Sequence, residues 1–318
     1  MQPRIVLLFV LPIFLFLLYA RLYSQTFNIK ELKQKVSQWL SIPSITLKAI
    51  TGGLTNTSFL GIYDDKKCIV RIGKEDPEIL GIQRDCEAAC QIAASYHALA
   101  PQILYKNTKN GTLISVFIDG KPPTTEKIHQ TEYLKKIIQT IKQCHNIPYN
   151  KSFETPSIFN KIRNMMHISL NRKKPFISQD EKEKITQYIS QVETHFANKN
   201  CYNGLCHCDL GVDNIIDDGQ KLWLIDWEYA SWGNILFDLA SLCIESKFDK
   251  KKEQEALNLY FGNTWEAIYE DYKLMHGIFH LRNAFWYDLR SKDFIPPDKI
   301  MQAEAKKHID AFFKHPIM

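Results

Sequence analysis

Between Phe27 and Ile42 apolar positions fall at Ile29, Leu32, Val36, Trp39 and Leu40, close to a helical period, and Pro43 ends the run. The spacing predicts an amphipathic helix that opens the folded part. The pattern then shortens. Residues 47–50, 59–63 and 68–72 are β-type runs divided by TGGLTNTS and by an Asp-Asp-Lys-Lys turn, which predicts an antiparallel start. From 79 to 97 the period is helical, and strands return at 103–105 and 113–118 around a turn at Asn110 and Gly111. Residues 123–200 read as mostly helical, with polar connections at Pro148 and Pro156 and a basic loop at 171–175. A hairpin is expected around Asp217, Asp218 and Gly219, then helices from Asp238 to Pro296. This order predicts an α+β chain of two lobes, with residues 27–120 forming a small antiparallel lobe with one helix and residues 121–318 a larger, mainly helical one.

The N-terminus departs from that pattern. Residues 5–20 carry no charge, follow Arg4 and are interrupted only by Pro12. As a helix they would span about 24 Å, short of the roughly 30 Å hydrocarbon core unless Leu22 and Tyr23 extend them past a snorkelling Arg21. No small-x-small cleavage site follows, and Arg21, Lys30, Lys33 and Lys35 outnumber the positive charges on the other flank. The expectation is a hydrophobic N-terminal helix in residues 1–24. Through residues 5–23 it would tether a cytoplasmic body to a membrane; a cleaved signal-like segment and an incidental extension are the alternatives.

Composition adds exclusions. Hydrophobic residues at 45% and charged residues at 24% are ordinary globular values, and the net charge of +5 comes without a basic run interleaved with aromatics. No nucleic-acid partner is therefore expected. The 8 cysteines are scattered through 318 residues and read as reduced, buried thiols. Cys206, His207 and Cys208 lack the second pair that a zinc site would need.

The most informative segment runs from His207 to Ala240. It holds H-x-D-x-x-x-x-N in Asp209 and Asn214, then Asp226 after the apolar run 222–225. Phosphoryl transfer needs such groups together: a carboxylate to orient and deprotonate the attacking hydroxyl, and oxygen ligands to hold Mg2+ on the phosphates of ATP. A hairpin folding back at Gly219 would bring Asn214 and Asp226 to the same end of the ribbon. The protein-kinase counterparts are H-R-D-L-x-x-x-N and D-F-G, the second reading Asp226, Trp227, Glu228 here. No A-P-E segment or activation loop follows.

These motifs resemble the choline/ethanolamine kinase and aminoglycoside phosphotransferase superfamily, which also contains bacterial thiamine kinases. The likeness runs from about residue 47 to about residue 290. It rests on GGLTN at 52–56, IVRI at 69–72, RDCE at 84–87, FIDG at 117–120, HCDLGVDN at 207–214, IDWEYA at 225–230 and FDLA at 237–240. The resemblance implies a protein-kinase-like two-lobed fold with ATP and Mg2+ as cofactors, Asp209 as catalytic base, and Asn214 and Asp226 as metal ligands. It places Phe117 and Ile118 at a hinge that holds adenine, and has Arg71 pair with phosphate and with Glu87. Gly52 and Gly53 let a backbone turn approach phosphates closely, while Thr55, Asn56 and Ser58 add donors. Asn56-Thr57-Ser58 is also a glycosylation sequon; a glycan would block this loop, which again points to the cytosol.

The acceptor is expected to be a cationic amine alcohol, choline or ethanolamine first. Trp223, Trp227, Trp232, Trp265 and Trp286 all lie after residue 220, and aromatic faces with a nearby carboxylate suit a quaternary ammonium, although they equally suit a helical core. Trp286 and Tyr287 are the candidate substrate contacts, with Glu228 serving either the cation or the metal. Choline kinases carry two tryptophans three apart in this late helix, and here Asn283 stands three before Trp286. The IDWEYA and FWYDLR segments are similar to thiamine kinases, a second alternative, and an aminoglycoside is a third. A catalytically inactive kinase fold serving as a membrane-tethered binding module is the alternative of another class; the joint presence of Asp209, Asn214 and Asp226 favours an enzyme.

Overall fold

The computed structural model describes residues 28–50, 56–73, 77–172, 174–199, 202–291 and 298–314. The expected hydrophobic helix in residues 1–24 lies outside them, as do Gly52, Gly53 and Thr55. Among the described residues no helix is long and apolar enough to cross a membrane. The chain divides into two compact units.

In the first unit, residues 28–50, 56–73 and 103–117 form one helix and one sheet. Helix α1 (Ile29–Leu40) is capped by Asn28, whose Oδ1 accepts from Glu31 N at 3.3 Å, and ends where Ser41 turns to φ 54°. Its Leu32 and Val36 face a core with Ile45, Leu47, Phe59, Cys68, Val70 and Ile114. The antiparallel sheet comprises β1 (Thr46–Ile50), β2 (Asn56–Tyr63), β3 (Lys66–Gly73), β4 (Ile103–Asn107) and β5 (Thr112–Val116), in the order β1-β2-β3-β5-β4. The β2–β3 turn places Asp64 and Asp65 at φ 44° and 58°, the left-handed pair that matches the twist of a two-residue hairpin. Gly111 at φ 68° does the corresponding work between β4 and β5.

The second unit holds everything else, beginning with α2 (Arg84–Tyr96). The apolar pattern alone groups that helix with the strands, but its Cys86 thiol donates to the carbonyls of Phe153 and Ala230 in this unit. Helices α3 (Thr125–Ile128), α4 (Thr131–His145), α5 (Ile158–Leu170) and α6 (Gln179–Phe196) come next. Two small ribbons follow, pairing β6 (Asn203–Cys206) with β9 (Ser231–Asn234) and β7 (Ile215–Asp217) with β8 (Leu222–Leu224). Helices α7 (Ile235–Glu245), α8 (Lys250–Phe261), α9 (Trp265–Ser291) and α10 (Lys299–Lys314) complete the unit. Helix α9 is its spine: from Leu274 to Trp286 every side of the helix is buried. Its Gly277 makes room for the ring of Tyr188 on α6, since a Cβ there would stand 2.9 Å from the ring carbon that bears the hydroxyl.

Candidate active site

Strand β6 ends at Cys206, and the polar loop that follows is held by one acidic side chain. Asp238, in the first turn of α7 and 1% exposed, accepts from His207 N at 2.8 Å and from Cys208 N at 2.7 Å, one bond to each oxygen. His145 Nε2 lies 3.1 Å from the same carboxylate and donates to it, while its Nδ1 accepts from Tyr260 at 2.8 Å. These bonds hold Cys208 at φ 62°, a left-handed conformation rare for a residue with a side chain. The turn aims the next residue, Asp209, out of the core.

Asp209 keeps about a third of its side chain exposed, at 34%, while both carboxylate oxygens are engaged. Asn214 Nδ2 donates to Oδ2 at 3.1 Å and to the Asp209 carbonyl at 2.8 Å; Arg282 Nη1 donates to Oδ1 at 3.3 Å. Because the Asn214 amide nitrogen is committed, its carbonyl oxygen is left as an acceptor.

Asp226 reaches the same place through the β7–β8 ribbon. Gly219 at φ 89° reverses the chain, Ile215 pairs with Leu224, and Ile225 N donates to Asn214 O at 3.0 Å. Asp226 therefore sits one residue beyond Asn214's partner, at the same end of the hairpin. Its own backbone is left-handed, at φ 61°. His207 fixes this junction: Nε2 donates to Ile225 O at 2.9 Å and its ring packs against Trp227, 4.9 Å between centroids. One left-handed position thus precedes Asp209 and the other is Asp226 itself, and neighbouring bonds brace the backbone beside each. An amide oxygen and a carboxylate at one hairpin end are the hard oxygen donors that suit Mg2+.

A second group adjoins Asp209. Arg282 also donates from Nη1 to Asn283 Oδ1 at 2.7 Å, and its guanidinium carbon lies 4.3 Å from the centre of the Tyr229 ring. Asn283 Nδ2 donates to Glu245 Oε1 at 3.1 Å. Glu245 is exposed as a residue, but desolvation around its carboxyl pushes it above its ordinary value, and the charge of Asp209 acts in the same direction. Trp286 Nε1 donates to Tyr229 Oη at 2.6 Å. Tyr287 stacks on His308 of α10, 5.8 Å between centroids, and burial raises its hydroxyl to about 12.

Glu228 stands elsewhere in this arrangement. It is 4% exposed and ion-paired with Arg84 at 3.4 Å, whose Nη1 also donates to Glu87 at 2.9 Å. Trp227 is a core residue, fully buried and bonded through Nε1 to Leu224 O at 2.9 Å. In the first unit, Ser58 and Arg71 are direct cross-strand partners on β2 and β3, and Asn56 and Arg71 are buried at 6% and 8% exposure. Phe117 N donates to Lys67 O at 3.2 Å where that unit ends, and Ile118 begins the other.

Sequence reasoning missed Asp238, Glu245, Tyr229, Arg282 and Asn283 as functional groups. A signal existed for three of them. Asp238 and Glu245 are seven apart on one helix face, and an arginine inside an apolar run such as GIFHLRNAFW needs a buried partner.

Comparison with known proteins fits this geometry. A family model described as choline/ethanolamine kinase matches residues 47–264. The protein LicA of Haemophilus influenzae is 23% identical over 288 residues, covering 88% of this chain and 83% of its own. The crystal structure of the choline kinase LicA from Streptococcus pneumoniae superposes with a TM-score of 0.71 at 21% identity, covering 89% of this chain and 98% of that one. A Plasmodium vivax ethanolamine kinase superposes at 0.70 and 20% identity, with 86% and 83% coverage.

Proposed function

Since the chain belongs to the choline/ethanolamine kinase family, and is therefore a small-molecule alcohol phosphotransferase that uses ATP and Mg2+, we propose that its acceptor is a small cationic amine alcohol. Choline and ethanolamine are the leading candidates. The observation that carries this assignment is the pairing of a partly exposed carboxylate, Asp209, with a second carboxylate, Glu245, across the Arg282–Asn283 step of α9.

Asp209 is the group that takes the proton of the acceptor hydroxyl. Asn214 keeps that carboxylate aimed outward by bonding both its side chain and its backbone. The hydroxyl oxygen then attacks the γ-phosphorus of ATP as the bond to ADP breaks, giving a phosphomonoester. Asn214 and Asp226 are the residues that would hold Mg2+, which supplies charge neutralisation on the phosphates. Glu245, held in place by Asn283, supplies a negative charge for the acceptor cation. In the first unit, Asn56, Ser58 and Arg71 are assigned to ATP phosphates together with Gly52, Gly53 and Thr55. Phe117 and Ile118 are assigned to the adenine, and Glu87 to the same nucleotide machinery.

ADP release, followed while Mg2+ is titrated in the presence of ethanolamine or choline, tests the assignment. Asp226→Ala and Asn214→Ala are expected to raise the Mg2+ requirement and to cut turnover by about 10²-fold or more. Acceptor-dependent turnover that is indifferent to both substitutions would remove the metal-ligand roles; its absence with either acceptor in the wild type would remove the amine-alcohol assignment.

A further inference from the structure

Arg282 is a charged side chain in the most apolar stretch of the longest helix. It is 6% exposed, bonded through Nη1 to Asp209 and Asn283, and lies against the ring of Tyr229. Its Nη2 is buried without a hydrogen-bond partner among the described residues. A buried donor left unmade costs about 1–3 kcal/mol, more on a charged group, so such a donor beside a base points to an oxygen that arrives with a ligand.

The charges around it define what kind of ligand. Asp209 and Glu245 bring two negative charges against the one guanidinium, leaving a surplus that one monocation would balance. The charge of Lys307 is felt at Glu245 but is matched by its own partner Glu304 at 2.7 Å, and burial lowers His308 to about 4, so the pair of carboxylates keeps its surplus near neutral pH. A quaternary ammonium has no N–H and is bound by aromatic faces. Here the Tyr229 ring already carries the chain's own cation, Trp286 is buried at 9% exposure, and Tyr287 is stacked on His308. A primary ammonium has three donors and needs a carboxylate; Glu245 takes one bond from Asn283 and has acceptor capacity beyond it.

We propose that Arg282 makes the acceptor end of this site selective for a small primary amine alcohol over a quaternary one, with its Nη2 holding the acceptor's hydroxyl oxygen beside Asp209. The proposal rests on the amine-alcohol assignment above and narrows it. Arg282 leaves the proton transfer itself to Asp209 and acts by occupying the Tyr229 face and by fixing the hydroxyl.

The test is kcat/KM of the full chain for ethanolamine, its N-methyl and N,N-dimethyl derivatives, and choline, with wild type, Arg282→Met and Glu245→Gln. Wild type is expected to lose activity stepwise with methylation, at least tenfold from ethanolamine to choline. Arg282→Met, which uncovers the Tyr229 ring, is expected to shrink that ratio at least tenfold, chiefly through a lower KM for choline. Glu245→Gln is expected to raise KM for both acceptors, and for ethanolamine at least tenfold more than for choline, and it tests the same selectivity should Arg282→Met fail to fold. Equal or better use of choline by the wild type, or a ratio that neither variant moves, would overturn the proposal and leave the amine-alcohol assignment standing. Phosphorylation of none of the four acceptors would overturn both.

Discussion

At the scale of single residues, the site depends on Asp238 as much as on the groups that touch substrates. Its two oxygens hold the consecutive backbone N–H groups of His207 and Cys208, and His145 with Tyr260 holds the carboxylate in turn. Asp238→Asn turns one of those acceptors into a donor facing an amide. The expected result is a loss of roughly 2–4 kcal/mol in urea unfolding and a fall in kcat, because Asp209 is aimed by the turn that Asp238 braces. A variant within about 0.5 kcal/mol of wild type and with unchanged kcat would show that the turn holds without it. The sequence made the Asp209, Asn214 and Asp226 constellation legible because its spacing is fixed by a short hairpin. Glu228 was legible only as a carboxylate in the right motif; whether it faces a cation or Arg84 depends on α2, more than a hundred residues away.

At the scale of elements, strands and amphipathic helices were readable because each buries one face, as in α1 and the β2–β3 hairpin. Helix α9 defeats that logic. Buried on all sides from Leu274 to Trp286, it shows no polar face there to mark direction, so the pattern located the helix but could not say that Arg282 and Asn283 turn toward Asp209. Its packing against α10 carries a titratable group. His308 lies 2.9 Å from His280, Nδ1 to Nδ1, stacks on Tyr287, and is lowered from 6.5 to about 4, chiefly by burial and then by the charge of Lys307. The unfolded chain therefore binds this proton first as pH falls. Its contribution to stability is complete above about pH 6.5 and is lost progressively toward pH 4, by roughly 3 kcal/mol. Urea unfolding of wild type and His308→Gln at pH 7.5 and pH 4.5 measures it: the wild type is expected to lose more stability between the two. Equal losses would mean that His308 titrates normally.

At the scale of the whole molecule, the two-lobed order of elements was legible from the switch between period-2 and helical spacing, and the family from motifs spread between Gly52 and Ala240. What composition could not supply was the acceptor. Tryptophans clustered after residue 220 suggested an aromatic cage, and the structure instead gives Trp227 to the core, ties Trp286 to Tyr229 and lays an arginine on the Tyr229 ring. Side-chain identity reveals which groups are present; only packing shows which faces remain available to a ligand.

Phosphoryl transfer from ATP to the hydroxyl of an amine alcohol, with Asp209 as base, is the proposed reaction on which the other assignments rest. The most direct measurement is ADP release with Mg2+ and ATP against ethanolamine, choline, thiamine and an aminoglycoside in parallel, for wild type and for Asp209→Asn. The expected result is strong turnover with an amine alcohol that falls by about 10²–10⁴-fold in Asp209→Asn while the variant stays folded. Near-normal turnover by Asp209→Asn, or turnover confined to the aminoglycoside, would contradict the account.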